Sequence, residues 1–186
     1  MIFYRYLFKN VKILSINERL VYSNLLDYSL KLSDVFFEDG IFQREHLMEY
    51  IDKNTNDVGW GNIPLLLPSL KELSRKLGIA RNTLKKILNK FKGLRLIDGN
   101  TIKCNKELFD LGYLILPDGL GIKGQLLVFY TFLKYRSKSF GGTIDTWAIA
   151  LEEYTGINKR VIYDMLYRLN KKGLVQRLSS NKLKIQ

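Results

Sequence analysis

The fold of this chain is decided by residues 69–104, which read SLKELSRKLGIARNTLKKILNKFKGLRLIDGNTIKC. Ser69 and Glu72 have the spacing of a capping box, which predicts that a helix begins directly after Ser69. Gly78 predicts the turn that ends this helix. From Leu84 onward, apolar residues spaced i, i+3, i+4 and i+7 predict the buried face of a second helix.

A hairpin is predicted after the second helix. The turn residues DGNT at residues 98–101 connect two short strands predicted at residues 95–98 and 101–104, and such a tight turn is typical of a β-hairpin. Helix, turn, helix and two-stranded hairpin form the winged helix-turn-helix pattern, in which the second helix enters the major groove of DNA.

The pattern occurs a second time at an offset of 78 residues, without a gap. Gly78 and Leu84 correspond to Gly156 and Ile162, and the second hairpin is predicted between residues 174 and 185. A duplicated pattern predicts two structural units of the same kind. We call the two copies, each with the segment upstream of it, the first and the second unit.

The helix caps differ between the two copies. Asn158 is predicted to cap the second helix of the second unit, and Asp145 or Thr146 its first helix. In the first unit Ala80 stands where a Ser or Thr cap is favoured. The second helix of that unit is therefore predicted to begin late, at Asn82.

A further helix is predicted upstream in each unit. Residues 20–28 resemble residues 127–135 at an offset of 107, and Ser15 and Glu18 form another capping box. Because this offset exceeds the first by 29, the first unit must contain an insertion, which coincides with residues 33–62.

The insertion has predicted structure of its own. Residues 44–51 have helical spacing, and residues 58–62 have the composition of a loop. A short strand is expected at residues 65–67, with residues 143–144 as its counterpart in the second unit. The insertion is thus predicted to end before the sheet of the first unit begins.

The predicted fold class is mainly α with small β-hairpins (α+β), arranged as two tandem winged helix-turn-helix domains. The first domain is predicted at residues 1–110, with the insertion at residues 33–62, and the second at residues 111–186. Residues 111–124 are expected to form a strand and a turn that connect the units. The aromatic N-terminal residues are expected to be a packing or dimer arm.

The charge of the chain is distributed unevenly. The formal net charge is +12, yet residues 71–106 carry eleven basic and two acidic side chains, and residues 159–186 carry eight basic and one acidic. The insertion carries seven acidic and two basic side chains. Two basic segments within repeated units predict a nucleic-acid partner.

Residue usage excludes several other classes of protein. The chain has one cysteine, Cys104, and one histidine, His46, so we expect no metal, no cofactor and no enzymatic activity. Cys104 is expected to be buried, and His46 to be a surface or half-buried side chain and not a ligand. The chain shows neither a signal peptide nor an apolar run of roughly 20 residues. A cytoplasmic protein without membrane contact is expected.

Two stretches resemble known families. GIARNTL at residues 78–84, followed by LRLID at residues 94–98, resembles a winged-helix signature common in bacteria. LSINERLVYSNLLD at residues 14–27 resembles the opening helix of replication initiators of bacterial plasmids and related phages and mobile elements. In that group the opening helix precedes a winged-helix DNA-binding domain. The resemblance implies binding to specific double-stranded DNA.

Candidate DNA contacts in the first unit are the side chains that the apolar helix face leaves outside. Three near the helix start are placed to reach base edges: Arg81, Asn82 and Lys85. Phosphate contacts are expected from Thr83, Lys86 and Lys90, with Asn89 also on the outer face. The hairpin adds Asn100 at its tip, together with Lys103.

The second unit presents a different set of candidates. Its outer helix face carries Lys159, Arg160, Tyr163, Tyr167 and Arg168, and its hairpin carries Arg177, Lys182 and Lys184. The two tyrosines could contact thymine methyl groups or a sugar, stack on a single-stranded base, or contact a protein.

Three functions remain open from the sequence. The first is replication initiation on a plasmid, phage or mobile element, with double-stranded DNA as partner and a homodimer matched to a repeated or palindromic site. The second is transcription regulation, which needs the same groove contacts. The third is a protein-interaction adaptor, in which the acidic insertion and the two tyrosines contact a replication or transcription protein.

Overall fold

The computed structural model describes residues 1–11, 13–31, 36–39, 41–53, 59–145 and 148–186. Within these residues the predicted α+β class is confirmed. The first half contains β1 (Ile2–Tyr4), α1 (Tyr6–Asn10), α2 (Ile16–Lys31), β2 (Phe37–Glu38), β3 (Ile41–Phe42), α3 (Arg44–Lys53), β4 (Trp60–Pro64), α4 (Leu70–Leu77), α5 (Arg81–Gly93), β5 (Ile97–Asp98) and β6 (Thr101–Asn105). The second half contains β7 (Tyr113–Ile115), α6 (Gly124–Ser137), β8 (Thr143–Asp145), α7 (Ala148–Thr155), α8 (Lys159–Lys171), β9 (Val175–Arg177) and β10 (Lys182–Ile185).

Two three-stranded antiparallel sheets have the same strand order. In the first, β6 lies between β4 and β5, and in the second, β10 lies between β8 and β9. Ile63 pairs with Ile102 in the first sheet, and Ile144 pairs with Leu183 in the second. All four side chains are buried. In each unit, therefore, the strand before the helix pair joins the hairpin that follows it, and one sheet face closes the core.

The strand that completes the first sheet differs from the sequence-based expectation. The loop expected at residues 58–62 and the strand expected at residues 65–67 are both wrong, because the strand is β4 at Trp60–Pro64. Pro64 lacks an N–H group to donate, and the strand ends there. The expected strand at residues 143–144 of the second unit is confirmed as β8.

The first helices of the two units pack against each other at the centre of the molecule. In α2 every residue from 22 to 27 is buried, and α6 is buried over residues 126–133, so neither helix has a wide polar face. The Arg19 side chain is buried and donates hydrogen bonds to the carbonyl oxygens of Leu14 (2.8 Å) and Thr155 (2.5 Å). The last contact ties α2 to the end of α7.

The capping box predicted for α2 is confirmed in both directions. The Ser15 N–H donates to Glu18 Oε2 (2.7 Å), and the Glu18 N–H donates to Ser15 Oγ (3.4 Å). The N-terminal segment packs within the chain, since β1 pairs with β7 and the rings of Phe3 and Phe8 are buried 4.7 Å apart. The packing role expected for this segment is confirmed.

The insertion lies against the first sheet. The helix predicted at residues 44–51 is confirmed as α3. Its Ile51 is buried against Gly61 of β4, where an added Cβ would come within 2.7 Å of Ile51 Cγ2. A glycine at this position therefore lets α3 approach the strand closely. Two ion pairs join the insertion to the segment after β6: Arg44–Asp110 and Lys106–Asp52.

Candidate nucleic-acid interface

The turn before α5 has the geometry that its sequence predicts. Gly78 adopts a left-handed conformation (φ 66°) and its N–H donates to the Ser74 carbonyl oxygen at 2.9 Å. Helix α5 begins at Arg81 and not at Asn82, so the prediction of a late start is wrong. Ala80 holds the extended conformation of an N-cap (φ −59°, ψ 143°) although its side chain makes no capping bond. The backbone conformation of the turn is thus imposed by packing.

The second unit repeats this turn with different side chains. Gly156 also has a positive φ of 64°. The predicted Asn158 cap is confirmed, since its Oδ1 accepts from the Arg160 N–H at 2.9 Å. Glu152 Oε1 accepts from the Lys159 N–H at 3.1 Å, so this carboxylate also caps α8. The caps predicted at Asp145 or Thr146 lie outside the described side chains.

The outer face of α5 is exposed and basic. Leu84, Ile87 and Phe91 are buried. All seven candidates on this helix are exposed: Arg81, Asn82, Thr83, Lys85, Lys86, Asn89 and Lys90. No acidic residue lies between the two ends of α5. The helix therefore presents one continuous positive surface that no carboxylate of the same helix neutralises.

Lys90 differs from the other cations on α5 because it has an ion-pair partner. Its Nζ lies 2.8 Å from Glu18 Oε2 and 2.9 Å from Glu18 Oε1. Burial of Glu18 acts to raise the pKa of its carboxyl, but the Lys90 ammonium and the Ser15 hydrogen bonds outweigh it and hold that pKa below its usual range. Lys90 therefore ties α5 to the start of α2.

The two hairpin candidates of the first unit lie in different places. Asn100 is exposed in the turn between β5 and β6. Lys103 lies within the central strand β6, opposite Asn62 of β4, and is half-buried. The Lys103 carbonyl oxygen accepts from the Tyr22 hydroxyl at 2.5 Å. Lys103 therefore lies in the strand predicted at residues 101–104, and this strand is the central one of three.

Every candidate residue of the second unit is exposed. The set comprises Lys159, Arg160, Tyr163, Tyr167, Arg168, Arg177, Lys182 and Lys184. Arg168 lies 3.6 Å from Asp164 on the same helix. The Arg177 guanidinium donates to the carbonyl oxygens of Ser179 and Ser180, at 3.2 and 3.3 Å. Arg177 thus covers the turn of its own hairpin.

A groove separates the second helix from the hairpin in each unit. Five lining positions of the two grooves correspond at the 78-residue offset: Lys85 and Tyr163, Leu88 and Leu166, Asn89 and Tyr167, Lys92 and Asn170, and Ile97 and Val175. The groove of the second unit has a volume of about 560 Å³, against about 200 Å³ in the first. Its hairpin is longer, since Arg177 pairs with Leu183 beyond the Val175–Ile185 pair.

Arg95 is a surface cation that the sequence reasoning did not include. It is exposed between α5 and β5 and has a positive φ of 54°, a conformation that is rare for a residue with a side chain. The signal was present in the sequence, because Arg95 corresponds to Gly173 of the second unit. Arg95 is thus an exposed cation just beyond the end of α5, where it is available to a phosphate.

The single cysteine and the single histidine lie outside the two basic helix faces. Cys104 is fully buried, and burial raises the pKa of its thiol to about 12. His46 is exposed on α3, as expected. Within the described residues no cluster of three or more His, Cys, Asp or Glu side chains could hold a metal ion. Nor, in that part of the chain, is any helix long and apolar enough to cross a membrane.

Comparison of the chain with protein-family models, with curated proteins and with solved structures found no match. The geometry and charge of the two units are therefore the features that point to a function.

Proposed function

We propose that this chain binds specific double-stranded DNA through two winged helices, one in each unit, and that it acts in replication initiation on a plasmid, phage or mobile element. The observation that carries the proposal is the exposed face of α5, which follows a glycine turn and bears cations and amides without an acidic residue. A helix of this kind, held by a packed partner helix and a hairpin, suits the major groove.

The positions along α5 suggest different contacts. Arg81, Asn82 and Lys85 lie in the first turns of the helix, where side chains reach base edges in this docking geometry. Arginine pairs bidentately with guanine, and asparagine with adenine. Thr83 and Lys86 are assigned to phosphates, and Arg95 at the far end of the helix is added to them. Lys90 is withdrawn from that set because it pairs with Glu18.

The biological role rests on the resemblance of residues 14–27 to the opening helix of replication initiators. A transcription regulator would use the same groove contacts, so the two roles are separated by the position of the bound site. Repeated sites at a replication origin would favour initiation, and a site that overlaps a promoter would favour regulation.

Selection of bound duplexes from a random library tests DNA binding directly. The affinity for the selected site should fall with rising salt, with a log–log slope of about −0.9 for each phosphate contacted. Arg81→Ala should weaken the selected site by about 1–3 kcal/mol and reduce discrimination at one base pair. Lys53→Ala removes a cation from the acidic insertion. It should change neither the affinity for the selected site nor the discrimination at that base pair.

Two results would count against the proposal. One is an affinity that does not depend on salt, since phosphate contacts release counterions. The other is an equal loss of affinity in the Lys53→Ala and Arg81→Ala proteins, which would mean that total charge and not the α5 surface determines binding.

A further inference from the structure

The two grooves have the same position in their units but opposite surface chemistry. Where the first groove has Lys85 and Asn89, the second has Tyr163 and Tyr167. The tyrosines are 55% and 59% exposed, although large apolar rings are usually covered. A cation and an amide suit a phosphate backbone, whereas two rings suit a flat apolar partner.

The two rings can each contact one flat group along a strand. Tyr163 and Tyr167 are four residues apart on α8 and lie on the same side of the helix. Base faces in a duplex are covered by their neighbours in the stack, so a ring can stack only on a base that is unpaired. Exposed aromatic rings on a basic surface are the usual platform for single-stranded nucleic acid.

The remaining lining supplies contacts for a sugar-phosphate backbone. Lys159 and Arg177 contribute positive charge at opposite walls of the groove, and Asn170 and Asn181 contribute amides. Among the residues that the structure describes, no carboxylate lines the groove. The lining as a whole is electropositive with an aromatic wall, which complements an anionic chain carrying flat bases and disfavours an acidic or purely apolar peptide.

We propose that the groove between α8 and the β9–β10 hairpin binds single-stranded DNA, with unpaired bases stacked on Tyr163 and Tyr167 and the backbone held by Lys159 and Arg177. The inference rests on the proposed function for the first unit, which holds a duplex. It modifies that function for the second unit, whose groove holds unpaired DNA in place of a duplex. The chain would then bind a junction between duplex and unpaired DNA, with one unit on each part.

The test compares the full-length protein with matched variants at corresponding positions. One variant carries Tyr163→Ala and Tyr167→Ala, a second carries Tyr163→Phe and Tyr167→Phe, and the control carries Lys85→Ala and Asn89→Ala. Affinities are measured for an oligothymidylate and for the selected duplex by fluorescence anisotropy. A 2-aminopurine base within the oligonucleotide reports stacking directly. Circular dichroism checks that each variant is folded, which we expect because the altered side chains are exposed.

The alanine pair should weaken oligothymidylate binding by about tenfold or more for each ring removed. It should also abolish the change in 2-aminopurine fluorescence. The phenylalanine pair keeps both rings and should retain both signals. Duplex affinity should change little in either tyrosine variant, and the Lys85 and Asn89 control should show the reverse pattern.

Failure of this inference can be distinguished from failure of the proposed function. If the duplex binds with the expected salt dependence and the oligothymidylate does not, the groove proposal is wrong and duplex binding stands. If neither nucleic acid binds, both are wrong. An alanine pair that retains full oligothymidylate affinity but loses a protein partner would identify the groove as a protein-docking site and overturn the proposal.

Discussion

Arg95 and Gly173 occupy the same position in the two units, and both have a left-handed backbone, with φ of 54° and 69°. Each ends its helix in a Schellman motif. The following N–H, of Leu96 or Leu174, donates to the carbonyl oxygen five residues earlier, at 2.9 and 3.1 Å. The fold requires this conformation at both positions, but only the second unit has the residue that adopts it without strain.

Replacing the strained arginine should stabilise the protein. Arg95→Gly is expected to raise the free energy of unfolding by about 0.5–1 kcal/mol, because the left-handed strain exceeds the entropy cost of a glycine. Gly173→Ala is the matched reverse change and should lower it by about 1 kcal/mol. In the described part of the chain, nothing apart from the adjacent residues lies within 4 Å of an added Cβ at position 173, so backbone strain is the cause there. Urea unfolding measures the free energy of unfolding of both variants. An Arg95→Gly protein that is less stable than the wild type would contradict the assignment of backbone strain to Arg95.

Arg95→Gly should also weaken DNA binding. If Arg95 contacts a phosphate, Arg95→Gly should reduce the affinity for all duplexes alike and lower the log–log salt slope by about 0.9. Arg95→Lys keeps the charge and should retain most of the slope. Titration at a series of salt concentrations gives the comparison. An unchanged slope in the glycine variant would remove Arg95 from the interface.

Substitutions at the N-caps of α5 and α8 should have opposite effects on the stability of the protein. Ala80 and Asn158 have closely similar backbone angles, but only Asn158 makes a capping bond. Ala80→Ser should therefore stabilise the protein by about 1 kcal/mol, and Asn158→Ala should destabilise it by a similar amount. Thermal and urea unfolding at neutral pH check both. If Ala80→Ser gives no gain, its hydroxyl does not reach the first N–H groups of α5.

The pair of Glu18 and Lys90 predicts a pH dependence of stability. Because the pKa of Glu18 is lowered in the folded chain, its contribution is present at neutral pH and is lost as the pH falls through the folded-state pKa. Lys90→Met should lower the free energy of unfolding by about 0.5–1 kcal/mol at neutral pH. This difference from the wild type should vanish in acid, when Glu18 is protonated.

Lys86→Met is the control for that experiment, since it removes a charge from the same helix. It should leave the acid dependence of unfolding unchanged while it lowers the affinity for DNA. An affinity loss in Lys90→Met as large as that in Lys86→Met would return Lys90 to the set of phosphate contacts. Urea unfolding at several pH values, with duplex titration at neutral pH, provides both readouts.

The sequence predicted those features that depend on neighbours along the chain. Ser69, Ser15 and Asn158 cap their helices as their spacing indicated, because a cap needs only the N–H groups two or three residues away. The buried faces of α5 and α8 followed from apolar spacing alone. The exposed candidates on both helices followed from the same periodicity.

Features that depend on distant partners were not predicted. The strand β4 was misplaced by several residues, because a strand is specified by the register with its neighbour, here Ile63 opposite Ile102. Lys90 was assigned to phosphate because its partner Glu18 lies 72 residues away in the sequence. The central position of β6, with Lys103 opposite Asn62, was not predicted because it depends on the third strand, β4.

The two repeated units, their helices and the cations on their outer faces can be read from the amino-acid sequence, because they follow from local spacing and capping. The groove that Tyr163 and Tyr167 line opposite Arg177, and the strained conformation of Arg95, are visible only in the folded chain. Both depend on how a hairpin closes against a helix. That arrangement is determined by packing between segments, whose contacts have no fixed spacing along the chain.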